Sequence, residues 1–239
     1  DRILANGEYI KEILEKIYII KATSCPAGVE VHKRPLSYKA RLKGFLRVKR
    51  KKIIKPYLLV TNRHFSQKRF EYAIFSFAAI ISKFPNYSLV ITGKETDYTY
   101  ELKHLVLRLG LNGKVIFAGY VTEKKLKSLY AHANCYLYTA PEEDFGMGIV
   151  EAMAAGTPVV AWNSAGPSRI IKNGVTGVLV DPFNVVDFSN KVLKIISDIG
   201  FAKKVSKNAY DEVKRRFSYD IHVQNLNFYL KESSFIKKS

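Results

Sequence analysis

Cysteine, acidic residues and long apolar runs are all scarce in this sequence, and each shortage excludes something. Two cysteines, Cys25 and Cys135, in 239 residues cannot build a disulfide framework or a zinc ligand cluster. They point to a reducing compartment. The five histidines, His32, His64, His104, His132 and His222, show no metal-ligand spacing either. No stretch reaches the ~18 apolar residues of a membrane helix; the longest, Tyr72 to Ile81, carries Ser76. No Gly-x-Gly-x-x-Gly fingerprint follows the first strand pattern, which argues against a nicotinamide dehydrogenase, and no P-loop is present. The chain opens Asp1-Arg2-Ile3, with neither Met nor the pattern of a signal peptide. It is expected to be processed or a piece of something longer.

Only 21 Asp and Glu stand against 39 Lys and Arg, a formal +18. That excludes an acidic solvating chain and raises nucleic acid, anionic lipid or a phosphorylated ligand as partners. With 47% hydrophobic and 25% charged residues the chain has the makings of a folded core, long enough for one large domain or two small ones. The charge is uneven. Eleven basic residues and no acid fall between His32 and Lys55, so over half the net charge lies in a tenth of the chain. Leu42, Phe45, Leu46 and Lys49 follow helical spacing there, predicting a short basic amphipathic helix. The segment is either a solvated linker or a contact with an anionic membrane, where each basic residue adds ~1 kcal/mol near the surface. No recognised motif for nucleic acid accompanies the charge, so no nucleic-acid partner is expected.

From Tyr57 onward, short apolar runs alternate with helical patterns. Strands are predicted over Tyr57–Asn62, Tyr87–Thr92, Val115–Ala118, Cys135–Tyr138, Val159–Trp162 and Gly177–Val180. Each is apolar on both faces, as buried parallel strands are. Helices are predicted near Gln67–Phe84, Tyr98–Leu109, Thr122–Ala133 and Met147–Ala155, with Ser66 and Thr122 as N-caps and Gly110 and Gly156 as stops. Strand–helix repetition of this kind means an α/β doubly wound parallel sheet with helices on both faces. Helices over Val185–Asp198, Phe201–Arg216 and Asp220–Lys231 follow, the last with a stripe of Val223, Leu226 and Leu230. The first 30 residues pattern as a strand Arg2–Ala5, a helix Gly7–Tyr18 and an extended piece Ala22–Val29. One strand–helix–strand cannot bury itself, so it belongs to a larger sheet.

The most informative stretch runs from Pro141 to Met153. Glu143 sits in a loop after a strand, and Glu151 lies inside the next helix. Gly146 and Gly148 let backbone approach a ligand with no Cβ in the way, and the helix N-terminus of Met147 offers N–H groups and positive dipole to an anion. Loops beyond the carboxyl ends of parallel strands are where open α/β sheets bind ligands. Glu143 and Asp144 could simply favour the helix dipole. Glu151, on an otherwise apolar helix, costs free energy unless it is paired.

Glu143 and Glu151 with Phe145-Gly146 between them, followed by Glu151-Ala152-Met153-Ala154-Ala155-Gly156-Thr157-Pro158, resemble the nucleotide-sugar site of the group 1 (family 4) retaining glycosyltransferases. Those enzymes have the GT-B fold, two Rossmann-like domains with this motif in the C-terminal one. Other matches follow in order. Arg63 and Lys68 resemble the family's pair that grips the diphosphate, and Gly119-Tyr120-Val121 the segment whose backbone contacts the base. Asn173 to Pro182 resembles the downstream signature, and Phe217-Ser218-Tyr219 with the last helix the crossover tail.

The resemblance implies a division into residues 1–31, a remnant of the N-terminal domain; 32–55, the basic linker; 56–216, the donor-binding domain; and 217–239, the crossover helix and tail. It implies that Glu151 holds the ribose hydroxyls, and that Glu143, with Phe145, Gly146, Met147 and Gly148, positions the donor sugar. Arg63 and Lys68 would stabilise the departing diphosphate, whose charge grows as the C1–O bond breaks. No cofactor and no metal are expected; no Asp-x-Asp pair occurs in the chain. The implied activity is retaining sugar transfer from a UDP- or GDP-linked donor, by a chain incomplete without an N-terminal acceptor domain. The expected place is the cytoplasm, peripheral on the inner face of the membrane or on a lipid-linked acceptor. A non-catalytic subunit of a split enzyme and a GT-B sugar-nucleotide epimerase remain alternatives.

The sequence departs from the family's pattern in three places, the mildest at Cys25-Pro26-Ala27-Gly28-Val29-Glu30, where the family often has Pro-Asn-Gly-Val-Asp. Asn62 replaces a usual Gly before Arg63, and Arg169 stands where an acid is usual after Gly166-Pro167-Ser168. His64, between Arg63 and Lys68, is a further donor-site candidate. His132 is expected to be a packing or dipole residue.

Overall fold

Ile3–Ala5 (β1), Glu8–Lys16 (α1) and Ala22–Ser24 (β2) form the expected strand–helix–strand, with β1 and β2 parallel and Ile3 opposite Ala22. The computed structural model describes residues 3–31, 33 and 35–236. Arg2, expected to open the first strand, His32, at the start of the basic segment, and the tail 237–239 lie outside the described residues. The extended piece is shorter than its composition predicts. Past Ser24 the chain turns through Pro26, and Val29 makes an isolated bridge to Ser218. No residue of α1 is buried, and Ile3, Leu4, Ile17, Tyr18 and Ile19 are exposed.

The basic segment departs from its helical expectation. A 3-10 turn at Tyr38–Arg41 leads to an antiparallel hairpin, Phe45–Val48 (β3) and Lys51–Ile54 (β4), with Phe45 opposite Ile54 and Arg47 opposite Lys52. Gly44, at φ +94°, ends the turn where a helix would have to continue. Beyond it the side chains alternate with period two, and Val48 and Ile53 are buried on one face. The segment is also anchored at Arg41, which is 2% exposed. Its guanidinium donates to the carbonyls of Leu36, Ala133, Ala155 and Gly156 and to Thr157 Oγ1, at 2.8 to 3.4 Å.

The main sheet contains Tyr57–Thr61 (β5), Ser88–Thr92 (β6), Val115–Gly119 (β7), Cys135–Tyr138 (β8), Val159–Trp162 (β9) and Val178–Val180 (β10). All pairings are parallel, in the order β10-β9-β8-β5-β6-β7. Alternate residues face two cores: Tyr57 and Leu59 one way, Leu58 and Val60 the other. Phe70–Ile81 (α2), Tyr98–Arg108 (α3), Glu123–His132 (α4), Met147–Ala154 (α5) and Pro167–Ile170 (α6) connect the strands. Chain order runs outward from β5 in both directions, so the sheet switches direction between β5 and β8, where open α/β sheets bind ligands.

The expected helix starts need two corrections. A 3-10 turn over Ser66–Lys68 and a left-handed Arg69 precede α2, so Ser66 does not cap it. Thr122 occupies the cap position of α4, but its hydroxyl makes no capping bond. Gly110 and Gly156 do end their helices with positive φ.

Val185–Ser197 (α7), Ile199–Arg216 (α8) and Tyr219–Ile236 (α9) complete the chain. Glu212 of α8 receives Arg215, Arg216 and Lys172. Burial alone would raise its carboxyl, but these bonds pull it down to about 2. On α9, Val223 and Leu226 are half-buried and Leu230 is exposed. Among the described residues no helix is long and apolar enough to cross a membrane.

Candidate active site

The carboxyl ends of β5, β6 and β8 open into one cleft of about 600 Å³. Arg63 follows β5 directly. Lys68 arrives on the 3-10 turn, and its carbonyl accepts from Thr139 Oγ1 at 3.2 Å. Asn62 fills its departure from the family pattern in a specific way: its Oδ1 accepts the Arg63 N–H at 2.9 Å, so that amide is committed.

After β8 the chain loops through Glu143 and enters α5 at Gly146. Gly146 holds φ +102°, a conformation that side chains other than hydrogen strain to adopt. Gly148 has no room for a Cβ, which would strike the Tyr136 hydroxyl. Around that hydroxyl, Thr61 Oγ1 bonds Tyr130 at 2.7 Å and Tyr136 at 2.9 Å. Buried tyrosine hydroxyls require such partners. The network fixes the floor beneath the start of α5.

Six charged side chains line this cleft: Arg63, Lys68 and Lys94, and Glu143, Asp144 and Glu151. Lys68 Nζ lies 2.7 Å from Glu143 Oε2, and the Tyr138 hydroxyl donates to the same oxygen at 2.5 Å. Burial pushes the Glu151 carboxyl above the usual range, against a hydrogen bond from Tyr130 that favours its charged form. Phe145, Gly146, Met147, Gly148, Tyr120 and Val121 also line the cleft. Phe145 has a second task, because its ring packs edge-on to Phe217, 5.8 Å between centroids.

Two expected residues sit elsewhere. Gly119 lies behind the cleft wall, its carbonyl accepting from Gly93 N at 3.1 Å and from Thr92 Oγ1 at 2.5 Å. His64 is fully buried between Phe70 and Phe117, with Nδ1 3.0 Å from Thr99 Oγ1. Burial lowers its pKa, and it packs the core rather than the cleft. His132, as expected, makes a local bond, Nδ1 to the Ser128 carbonyl at 2.9 Å.

Several lining residues escape sequence reasoning. Tyr130 and Tyr138 touch the two carboxylates, and their signal was a tyrosine in a segment otherwise destined for burial. Lys94 adds a third cation to the cleft. Asn6, from the turn after β1, closes another wall while its Oδ1 accepts from Ala27 N at 2.9 Å. Nothing in its local sequence marks it.

A parallel sheet in the order of the Rossmann folds, with a charged cleft at its switch point, defines a doubly wound α/β protein whose cleft lies where such folds bind ligands. The chain belongs to the family of glycosyl transferases group 1, whose model matches residues 45–212. An uncharacterized glycosyltransferase of Methanocaldococcus jannaschii is 36% identical over 173 residues, 72% of this chain and 44% of that protein. The alpha-1,3/1,6-mannosyltransferase ALG2 of Dictyostelium discoideum is 32% identical over 194 residues, 74% of this chain and 46% of that one. This chain therefore spans less than half the length of these curated relatives. Anabaena HepE, solved in complex with UDP and glucose, superposes with a TM-score of 0.80 at 22% identity, over 96% of this chain and 62% of that one. That likeness establishes the fold, the GT-B architecture of the glycosyltransferases.

Proposed function

We propose that this chain is the donor-binding part of a glycosyltransferase that moves a sugar from a UDP- or GDP-linked donor to an acceptor with retention. One observation carries the reading. Arg63 and Lys68, with Glu143 and Glu151, brought from the ends of separate strands and a helix, converge on a single cleft at the sheet's switch point. The complex of HepE with UDP and glucose supports a nucleotide-sugar ligand.

In this assignment Glu151 accepts the ribose hydroxyls, and Tyr130 keeps its carboxylate aimed. Glu143 and the backbone from Phe145 to Gly148 orient the sugar, with the N-terminus of α5 facing the diphosphate. Tyr120 and Val121 face the base. Arg63 and Lys68 meet the negative charge that grows on the diphosphate as the C1–O bond breaks, the task a divalent metal performs elsewhere. The acceptor binds on an N-terminal domain to which residues 1–31 belong, so the 239-residue chain alone binds nucleotide weakly and transfers little. The enzyme works at the cytoplasmic face of a membrane, touching it through the basic segment 32–55.

A thermal-shift panel of UDP-, GDP- and ADP-sugars tests this, repeated with Glu151→Ala. Ligand at about 100 times its dissociation constant stabilises by ~2.7 kcal/mol. A shift with one base class, lost in the variant, is the expected result. No shift with any of the three sinks the donor-site assignment.

A further inference from the structure

The hairpin of β3 and β4 has two unlike faces. Val48 and Ile53 anchor the inner one in the core. On the outer face Phe45 and Ile54 pair across the strands, 48% and 61% exposed, and beside them Arg47 pairs with Lys52. Two like charges directly opposite on a ribbon repel and destabilise it unless an anion lies between them. Both cations also flank the Phe45 ring, Lys52 Nζ at 4.5 Å and Arg47 Cζ at 5.7 Å from its centroid.

The surrounding charge is equally one-sided. Arg41, Lys51 and Lys55 are spent on the carbonyls of the segment's own footing. Among the described residues Lys39, Lys43, Arg47, Lys49, Arg50 and Lys52 make no ion pair with a carboxylate. A solvated linker would explain the charges but not two large apolar side chains held side by side among them. Nucleic acid would satisfy the cations and leave Ile54 without a partner.

We propose that this outer face, with Phe45 and Ile54 at its centre and Arg47 and Lys52 beside them, docks on an anionic phospholipid surface. The apolar pair enters the headgroup layer while the cations meet lipid phosphates. The assignment rests on the peripheral-membrane reading above and narrows it from 24 residues to one ribbon face.

Vesicle flotation of the 239-residue protein tests it, with phosphatidylcholine alone and with phosphatidylcholine mixed with phosphatidylglycerol. The protein floats only with the anionic vesicles. A basic residue near such a surface is worth about fivefold in partitioning, so the double variant Arg47→Glu, Lys52→Glu binds at least about thirtyfold more weakly. The charge-matched control Lys203→Glu, Lys207→Glu, on exposed positions of α8, changes it far less. The pair Phe45→Ser, Ile54→Ser keeps binding at low salt and loses the fraction that resists high salt, because screening removes only the electrostatic part. Unchanged thermal midpoints confirm that the variants fold. Wild-type binding by both hairpin variants overturns the inference and leaves the peripheral reading standing. No binding to either vesicle removes both, as does a shift of the same dependence onto RNA or DNA.

Discussion

Lys68 Nζ and Glu143 Oε2 stand 2.7 Å apart, and each is only about one-fifth exposed. The two residues assigned to diphosphate and sugar thus engage each other within the cleft. A charged hydrogen bond is worth ~1.5–3 kcal/mol, and an arriving diphosphate has to compete with it. Glu143→Gln is therefore expected to tighten binding of UDP or GDP, which carry no sugar, by about three- to tenfold. Lys68→Ala is expected to weaken it by tenfold or more. Titration calorimetry separates the two; weaker binding in both variants means that Glu143 serves only to hold Lys68 in position.

Glu151 carries a raised pKa because burial penalises its charged form. Between its ordinary and raised values the folded state holds a proton that the unfolded state has lost, so this group's contribution to stability falls as pH rises through that window. Above it, the folded protein bears the cost of a half-buried carboxylate, offset in part by the bond from Tyr130. Glu151→Gln is expected to raise the thermal midpoint at neutral pH by a few degrees while abolishing most nucleotide binding. Wild-type affinity should fall as pH drops through the raised pKa and the Gln variant should show no such dependence. A midpoint that drops in the variant removes the strain argument.

The parallel strands are legible in the sequence because each is apolar on both faces; Cys135–Tyr138 and Val159–Trp162 begin and end where their apolar runs do. The hairpin is not. Positions 42, 45, 46 and 49 satisfy helical spacing, but a strand with Leu46 and Val48 inward runs through the same stretch, and a run this short does not distinguish the periods. The motif residues Glu143 and Glu151 are likewise legible as a pair. Tyr130, Tyr138, Asn6 and Lys94 reach the cleft only through the folding of distant segments. Arg41 is the extreme case, since composition gives a buried guanidinium the same appearance as its solvated neighbours.

That guanidinium joins the basic segment to two helix C-termini, at Ala133 after α4 and at Ala155 and Gly156 after α5. Terminal carbonyls carry partial negative charge and lack partners within their own helix. Burial lowers the Arg41 pKa to about 10, which still leaves it charged at neutral pH. Arg41→Ala strands several buried acceptors and is expected to cost about 3 kcal/mol. Arg41→Lys recovers only part, because an ammonium cannot reproduce the planar fork of donors. Urea denaturation at pH 7 reads both. A loss under about 1 kcal/mol in the Ala variant shows that water replaces the guanidinium and that the segment is not anchored there.

Arg169 answers its own departure from the family pattern. Its Nε and Nη2 donate to the two oxygens of Glu12, each at 2.8 Å, a bidentate bond between α6 and α1. A charge reversed on one side has found its complement on the N-terminal unit. The bond from Arg169 is the largest influence on Glu12 and holds its carboxyl below the usual range. The contact is therefore fully present above the ordinary carboxylate pKa and is lost as pH falls through the depressed one. Arg169→Glu and Glu12→Arg each place like charges together and are expected to speed amide hydrogen exchange in α1. The combined swap restores the pair and should return exchange toward wild type. Simple addition of the two single effects would assign the pair no coupling, the usual fate of exposed ion pairs. Recovery in the swap means instead that the bond couples α1 to α6, one tie of the N-terminal unit beside the bridge of Val29 to Ser218.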